Sequence, residues 1–484
     1  MKNRMKRILL IVASLCLQVL NLSYALDENA AQAKKEQIQK EDSTEAVDPG
    51  QVEYYTDFKA FHFQDQKSSE GVHPDSSELR VRLGIRYQKS FSEDWLFDSD
   101  VRAIISYRES DLNGSQDNAF IEVKRLYVRR ENLFNNPYLS MDVGRKRLKD
   151  NRAWLYDTDM DVLGLEYSRT LINFEGGIAG WLWNGRLGSN TSSREEAEIA
   201  ARENSWYLYA QFDYQWYYKN FIGLSFVKED YQKDNFDGDD DGFFDSNSLE
   251  DFLSSSDMSW LTLKVSGEIT SAIATFENPI IYWLDFSTSI GERYYFPIED
   301  QYNEEILKQD IESNYAFDLG FFKNFDHNQY YLGLSYAEAS GDDFFNENSS
   351  GFFQPLIVTN KKRLSGVKSF HLYGHVLNPQ LNNLEIVSLW AGMVVAEHYW
   401  IELAYHQYQQ KVSSPLIYSS RLVLSPNGES QDIGKALDII VSSKIRKDLD
   451  LQIIMGGFKG GSAFDSIASD KNAYRVTVEV NARW

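Results

Sequence analysis

The sequence predicts an all-β fold, a transmembrane antiparallel β-barrel of about 18 strands with short periplasmic turns and long extracellular loops. Three observations predict it. Apolar and polar residues alternate along many segments, as in strands with one face in lipid and the other in water. The start of the chain has the pattern of an export signal. Short and long polar connections alternate between the strands, as they do in outer-membrane barrels.

Residues 1–25 have the features of a secretory signal peptide. Basic residues precede an apolar stretch at 8–20, and Ser23-Tyr24-Ala25 resembles a cleavage site. The alternative, an N-terminal membrane anchor, is disfavoured because the apolar stretch is too short to span a bilayer. Cys16 is the only cysteine and would be removed with the signal. A mature chain without cysteine excludes a disulfide scaffold and a cysteine metal site.

The chain is strongly acidic, with 49 Lys+Arg against 72 Asp+Glu and a net charge of −23. Loss of residues 1–25 would remove four basic and no acidic residues, which leaves 45 basic residues and a net charge of −27. This charge argues against non-specific binding to nucleic acid. Residues 26–50 are charged and lack periodicity, so we expect a flexible periplasmic extension ahead of a barrel at 51–484.

Within 51–484 many segments have the two-residue period of a strand. Segments 79–87, 206–216, 314–321 and 437–442 each place apolar residues on one face and polar residues on the other. The segment 473–484 alternates without a break and ends in Trp484, which predicts the closing strand of the barrel. Aromatic residues near both ends of 206–216 are typical of the two membrane interfaces.

After the signal no uninterrupted apolar stretch reaches the roughly eighteen residues of a membrane-spanning helix. A closed barrel is then the expected way to satisfy backbone groups in a membrane. A soluble β-sandwich enzyme or lectin is the alternative, since its strands also alternate. The signal, the aromatic strand ends and the loop asymmetry favour the barrel.

The predicted connections have two lengths. Short turns are expected at 92–94, 324–327 and 446–448. Long loops are expected at 65–76, 110–117, 147–159, 185–202, 232–255, 291–311, 340–383, 412–434 and 460–471. Residues 269–278 are a candidate extra strand, and 366–377 resemble a strand, although the alternation of turns and loops places them within a long loop.

The polar faces of the strands would line a water-filled lumen. Ten arginines are predicted to lie along the substrate pathway: Arg80, Arg82, Arg86, Arg102, Arg108, Arg125, Arg129, Arg145, Arg147 and Arg152. Permanently charged guanidinium groups around a pore attract anions. Several carboxylates are expected on the same faces: Glu122, Glu166, Asp213, Asp285, Asp318, Asp438 and Glu479. For each arginine, bracing of the wall by an ion pair is therefore an equal alternative to conduction.

The segment 143–161 packs five basic residues, then three acidic residues, around Trp154 and Tyr156. Here the chain resembles the alginate-export family of outer-membrane porins, in which a strand ends in Gly-Arg-x-Arg before an Asp/Arg-rich loop. Residues 282–285 and 333–342 also resemble that family. The resemblance covers 52–484 and implies an eighteen-stranded monomeric barrel. It also implies a basic constriction, formed here by Arg145, Arg147 and Arg152, that passes a polyuronate to the cell surface.

The expected function is a Gram-negative outer-membrane porin that exports an anionic exopolysaccharide, an alginate-like polyuronate, by passive passage through an arginine-rich pore. Expected partners are the polysaccharide, outer-membrane lipid, a periplasmic export scaffold and the barrel-assembly machinery. Two alternatives stay open: an uptake porin for small acidic oligosaccharides, and a surface enzyme or adhesin carried on a barrel. The sequence has no Gly-x-Ser-x-Gly elbow and no paired Cys/His site, so no catalytic activity is expected.

One segment resembles the first half of a calcium-binding loop. Asp237, Asp239, Asp241 and Asp245, with Gly242, fit D-x-D-x-D-G-x-x-D. Ser248 stands where the closing bidentate Glu is expected. A weak structural calcium site and a solvated acidic loop are both open, and no other cofactor is expected.

Overall fold

The computed structural model describes residues 50–69, 75–111, 114–150, 152–182, 185–187, 205–232, 253–269, 278–295, 307–325, 329–341, 348–363, 370–396 and 398–484. The predicted signal peptide, nearly all of the predicted extension, the calcium motif and most of 269–278 lie outside these residues. Those expectations therefore stay predictions. No helix in the described part of the chain is long and apolar enough to cross a membrane.

The described residues form one closed antiparallel barrel of 18 strands. The strands are β1 Gln51–Gln64, β2 Ser76–Ser92, β3 Trp95–Ser110, β4 Gly114–Arg130, β5 Leu139–Lys149, β6 Asp157–Arg169, β7 Ile172–Gly180, β8 Trp206–Tyr217, β9 Asn220–Gln232, β10 Leu253–Ile269, β11 Ile280–Tyr295, β12 Ala316–Phe325, β13 Tyr330–Ala339, β14 Leu384–Ala396, β15 Tyr399–Gln410, β16 Asp432–Arg446, β17 Leu449–Gly460 and β18 Asn472–Arg483. The predicted fold class and strand number are confirmed.

The last strand closes the barrel on the first. Phe58 of β1 pairs with Val480 of β18 in antiparallel register. Trp484, just after β18, extends this pairing: the backbone N–H groups of Tyr54 and Trp484 each donate to the other's carbonyl at 2.9 Å. The terminal alternation therefore has the predicted role, because closure leaves the barrel without an unpaired edge.

Most connections on one side of the barrel are short turns and most on the other are long, as predicted, with both barrel termini on the short-turn side. Two connections differ: the long loop expected at 110–117 is a connection of three residues, 111–113, because β3 and β4 continue almost to their junction, and residues 131–138 form a longer connection on the short-turn side. Short elements lie in or beside the connections: the strands Lys67–Ser68, Arg186–Leu187, Leu307–Ile311, Asn348–Ser349, Lys361–Lys362, Phe370–His371 and Ala468–Asp470, and the 3₁₀ helices Leu133–Asn135 and Ser462–Phe464. The strand-like stretch 366–377 lies within a long connection, as expected, and its residues 370–371 pair with 361–362.

The two faces of the strands differ as the alternation predicted. Leu83 and Ile85 of β2 are 53% and 51% exposed and face outward. Trp206 and Trp216, near the two ends of β8, are also exposed. Exposed aromatic residues recur at the short-turn end of the barrel: Phe91, Trp95, Tyr138, Tyr218, Tyr330 and Tyr399. The apolar outer face and its aromatic girdle fit a membrane boundary.

The lumen contains a packed core, which the sequence interpretation missed. Segments of four long connections, residues 152–156, 348–363, 370–383 and 411–431, fold inward and are called the lumen segments below. Their contacts reach strands around the barrel: the Trp260 indole donates to the Phe353 carbonyl at 2.6 Å, and His375 bonds Thr477 at 2.9 Å. Inward folding removes apolar side chains of these loops from water, which stabilises it. Phe352 and Leu377, for example, are completely buried.

Candidate functional site

The arginines predicted on β2 and β3 lie on the lumen face. Arg80, Arg82 and Arg86 alternate with the exposed outer residues of β2, and Arg102 of β3 pairs across the sheet with Glu122 of β4. A bulge in β4 opposite Asp100 and Val101 then shifts the alternation by one residue. This shift brings Arg125 and Arg129 onto the lumen face.

Seven of the ten arginines contact a carboxylate. Arg86 binds Asp98 at 2.5 Å, and Arg102 binds Glu122. The remaining contacts are Arg80 to Glu78, Arg129 to Asp142 and Glu166, Arg145 to Asp161, Arg147 to Asp157, and Arg152 to Asp285 and Asp318. For these seven the structure shows the bracing contacts that the sequence left as an alternative.

Arg129 holds three strands together. Its guanidinium donates to Asp142 at 2.8 and 3.0 Å and to Glu166 at 2.5 Å, so it joins β4, β5 and β6. We expect Arg129→Met to destabilise the barrel by about 2 kcal/mol, because buried Asp142 would lose its two hydrogen bonds from Arg129 and keep Lys146, at 2.6 Å, as its cationic partner. Heat-dependent mobility on electrophoresis measures this change. Lys447→Met, in an exposed turn, is the control, and equal thermal stability of both variants would contradict the bracing role.

The upper half of the β5–β6 hairpin leaves the barrel wall. β4 pairs with β5 only across 126–130, whereas 121–122 pair with 186–187. Asp159 of the hairpin lies within electrostatic reach of Arg102, Lys124 and Arg125. The hairpin therefore bends toward the lumen, and residues 185–187 complete the wall.

This bend changes the position expected for Arg145. It has the same parity as the outward-facing Val143 and is 4% exposed. Its guanidinium donates to Asp161 at 3.1 and 2.8 Å, and a Cβ on Gly185 would clash with it. Arg145 is thus enclosed between the hairpin and residues 185–187, in a position to brace this junction and without a surface open to a passing solute. The sequence analysis expected Arg145 to line a basic constriction, whereas the structure encloses its side chain within the wall.

Arg152 reaches across the lumen to the far wall. Its guanidinium donates to Asp285 of β11 and Asp318 of β12, both at 2.5 Å, and lies 4.9 Å from the Trp283 ring centroid. Tyr373 donates to the same Asp318 at 2.7 Å. The two carboxylates hold the pKa of Arg152 above its usual range despite complete burial. Arg152 therefore fastens a lumen segment to the opposite wall.

The tip of the same hairpin is rigid. Asp150 accepts backbone N–H bonds from Arg152, Trp154 and Leu155 at 2.8, 3.1 and 2.6 Å. Lys264 of β10 lies 3.3 Å from Asp150. These bonds and the charge of Lys264 keep the pKa of Asp150 below its usual value although burial opposes this. The rigid tip holds Arg152 in one orientation, toward Asp285 and Asp318. This contact between Arg152 and the two carboxylates is called the latch below.

Three predicted arginines have no carboxylate within 4.0 Å in the described part of the chain: Arg82, Arg108 and Arg125. The Nε atoms of Arg82 and Arg125 are buried without a hydrogen-bond partner. Lys124 lies near Arg102 and Arg125. This side of the lumen therefore carries cations whose charge is not neutralised by direct contact.

Further cations face this region from the lumen segments and from the neighbouring strands β1 and β18. Lys361 is near Lys59 of β1 and Arg421, and burial with these two charges lowers the pKa of Lys361 to about 8. Burial lowers the pKa of Arg421 to about 10. Arg475 of β18 stacks 4.0 Å from the Phe61 ring centroid. No local sequence pattern indicates the role of Lys361 or Arg421, because only the folded loops bring these residues to the wall.

No group of three His, Cys, Asp or Glu residues that could hold a metal ion occurs among the described residues. His371 and His375, which share an i, i+4 spacing, are committed to other contacts: His371 bonds Arg421 at 3.0 Å and His375 bonds Thr477. Burial and nearby cations lower the pKa of both histidines well below the usual value.

The sequence matches one known protein family over most of its length. The model of the alginate export family matches residues 81–478, which is most of the chain. The chain belongs to the alginate export family. Its similarity to alginate production protein AlgE of Pseudomonas aeruginosa is 22% identity over 341 residues, 69% of this chain and 66% of that protein. The AlgE of Pseudomonas syringae pv. tomato is also 22% identical, over 70% of this chain and 71% of that protein.

Solved structures support the fold. OccK7 (OpdD) of Pseudomonas aeruginosa aligns with a TM-score of 0.52 and 12% identity, over 90% of this chain and 98% of that chain. OccAB2 of Acinetobacter baumannii aligns with a TM-score of 0.51 and 11% identity, over 91% and 99%. At these identities the likeness concerns the barrel alone. The family and the fold together locate this alginate export family member in the outer membrane of a Gram-negative bacterium.

Proposed function

We propose that the protein exports an anionic polysaccharide, an alginate-like polyuronate, from the periplasm to the cell surface by passive passage along the basic side of the lumen. Family membership supports the substrate class. The observation that carries the pathway is the group of cations on this side: Arg82, Arg108 and Arg125 on the wall, which no carboxylate of the described residues contacts, and Lys361 on the facing lumen segment, which lies near Lys59 and Arg421.

Arginines without carboxylate partners suit a moving polyanion. An arginine held by two carboxylates must break those contacts before it binds a substrate carboxylate, whereas Arg82 and Arg125 need not. Repeated, individually weak contacts allow a polymer to bind and move on. The paired arginines keep the wall rigid around this path, so bracing and conduction are divided between different members of the predicted set.

The remaining parts of the proposal follow from the barrel. The closed wall needs no second copy to complete its sheet, so we propose a monomer. Passive passage leaves chain supply and direction to a periplasmic export scaffold, and insertion to the barrel-assembly machinery. We propose no catalytic activity. Residues 237–245 are proposed as a weak structural calcium site.

Planar-bilayer recording tests the pathway. Arg82→Glu with Arg125→Glu is expected to change anion selectivity to cation selectivity and to abolish block by a polyuronate, because two lumen cations become anions. Lys447→Glu with Lys435→Glu changes the total charge equally, but Lys447 lies in an exposed turn and Lys435 on the outer face of β16. This control is expected to retain anion selectivity.

Cation selectivity of the unmodified protein would overturn the proposal, as would unchanged selectivity in the Arg82/Arg125 variant. Direction is tested in cells that make the polysaccharide. Export predicts that the Arg82/Arg125 variant accumulates polymer in the periplasm. Normal secretion, with loss of growth on external acidic oligosaccharides, would instead support uptake.

A further inference from the structure

The outer, lipid-facing wall carries an apolar groove of about 590 Å³ across β11 to β16. Ala391 lies in it and pairs with Leu332 on one side and Leu403 on the other. Leu334 and Leu389 are about half exposed and border the same groove. A small side chain among larger ones leaves the depression, whose size is typical of ligand sites.

One charged side chain lines the groove among the residues described there, Lys323 of β12. It shares the outward parity of Phe321, and its ammonium lies 5.1 Å from the Phe325 ring centroid. Phe325 is the last residue of β12, at the short-turn end of the barrel. A lysine at the edge of the hydrocarbon extends its charge toward the headgroups, so this ammonium points to the periplasmic interface.

We infer that the groove binds one glycerophospholipid of the periplasmic leaflet, with an acyl chain across Ala391 and the phosphate at Lys323. The depression buries apolar surface of the chain, and the ammonium supplies the complementary charge. An anionic lipid such as phosphatidylglycerol is preferred over phosphatidylethanolamine, because the latter carries an ammonium that competes with Lys323 for the phosphate. This site is independent of the transport pathway.

The same periplasmic edge provides an internal comparison. Lys89 lies 5.7 Å from the Phe91 ring centroid, in the same lysine-over-phenylalanine arrangement. Lys89 lies on β2, away from the groove, and does not line it. A general attraction of cations to headgroups would treat the two lysines alike. If the groove is a specific lipid site, lipid retention should depend on Lys323 and Ala391 and should not depend on Lys89.

Native mass spectrometry of the full chain, released from nanodiscs of equal parts phosphatidylglycerol and phosphatidylethanolamine, tests the site. The unmodified protein is expected to retain one phosphatidylglycerol. Ala391→Trp fills the groove and should remove the retained lipid. Lys323→Gln should reduce the preference for phosphatidylglycerol about tenfold, the effect of one charge-assisted hydrogen bond. Lys89→Gln is the matched control and should behave as the unmodified protein.

Retention of the lipid by Ala391→Trp would overturn the proposal, as would an equal effect of Lys323→Gln and Lys89→Gln. Both positions face lipid, so folding is not expected to depend on either substitution; heat-dependent mobility on electrophoresis verifies this. Retention of phosphatidylethanolamine in place of phosphatidylglycerol would also refute the assigned role of Lys323.

Discussion

Substitution of Arg152 by methionine is expected to open the lumen and raise single-channel conductance several-fold, while the barrel itself stays folded. Arg152 is the cation between Asp285 and Asp318, and its removal leaves these two buried carboxylates without the cation that contacts them both. Removing one partner of a buried ion pair costs about 3–5 kcal/mol. The lumen segments can relieve this cost by undocking and admitting water, whereas the wall is held by eighteen paired strands.

A second variant separates two effects of Arg152→Met: loss of the contact that holds the lumen segment, and burial of two carboxylates without a contacting cation. Arg152→Met with Asp285→Asn and Asp318→Asn removes the latch and also the two buried charges. We expect its conductance to lie between those of the unmodified protein and Arg152→Met. Arg169→Met is the control, because Arg169 contacts the Tyr138 ring at the periplasmic edge and does not face the lumen. The latch would be refuted if Arg152→Met kept the original conductance and the segment 348–363 stayed resistant to protease.

The sequence predicts the wall better than the lumen, for a physical reason. The two-residue period of 79–87 or 473–484 is local and is set by lipid on one side of each strand. The partners of Arg152 lie 133 and 166 residues away along the chain, and no local pattern indicates which carboxylate folds against it. A signal for inward folding did exist, since Phe352, Phe353, Leu372 and Tyr373 are large apolar residues in connections expected to be extracellular.

The position of Arg145 shows another limit of reasoning from period alone. Its neighbours in sequence alternate regularly, yet the hairpin bends away from the wall and residues 186–187 pair with β4 in its place. Pairing partners, which the period does not specify, decided on which side of the wall this guanidinium lies. The segment that carries the family motif is nevertheless the one that folds inward, because Arg147 and Arg152 both lie in the inward part of this hairpin or at its tip.

Alkaline pH is expected to close the channel through Lys361 and Lys362, which lie on one lumen segment. Burial lowers the pKa of each to about 8 from 10.5. Lys361 is also affected by Lys59, Arg421, Glu479 and Asp157, and Lys362 by Arg152, Asp285 and Asp318. When the segment undocks into water, both lysines recover their ordinary pKa. The docked state therefore binds fewer protons above pH 8, and docking strengthens as pH rises from about 8 toward 10.5.

Each lysine should shift the docking equilibrium on the order of tenfold between pH 7 and pH 9, and the two together about a hundredfold. The open probability in planar bilayers, recorded at pH 7, 8 and 9, is expected to fall over this range. Arginine side chains do not lose their protons over this range of pH, so anion selectivity of the remaining openings should persist. Lys361→Met with Lys362→Met should give a flat profile. A rise in open probability with pH, or the same slope in the double variant, would contradict this mechanism, because only lysines whose docked pKa is depressed make closure the alkaline state.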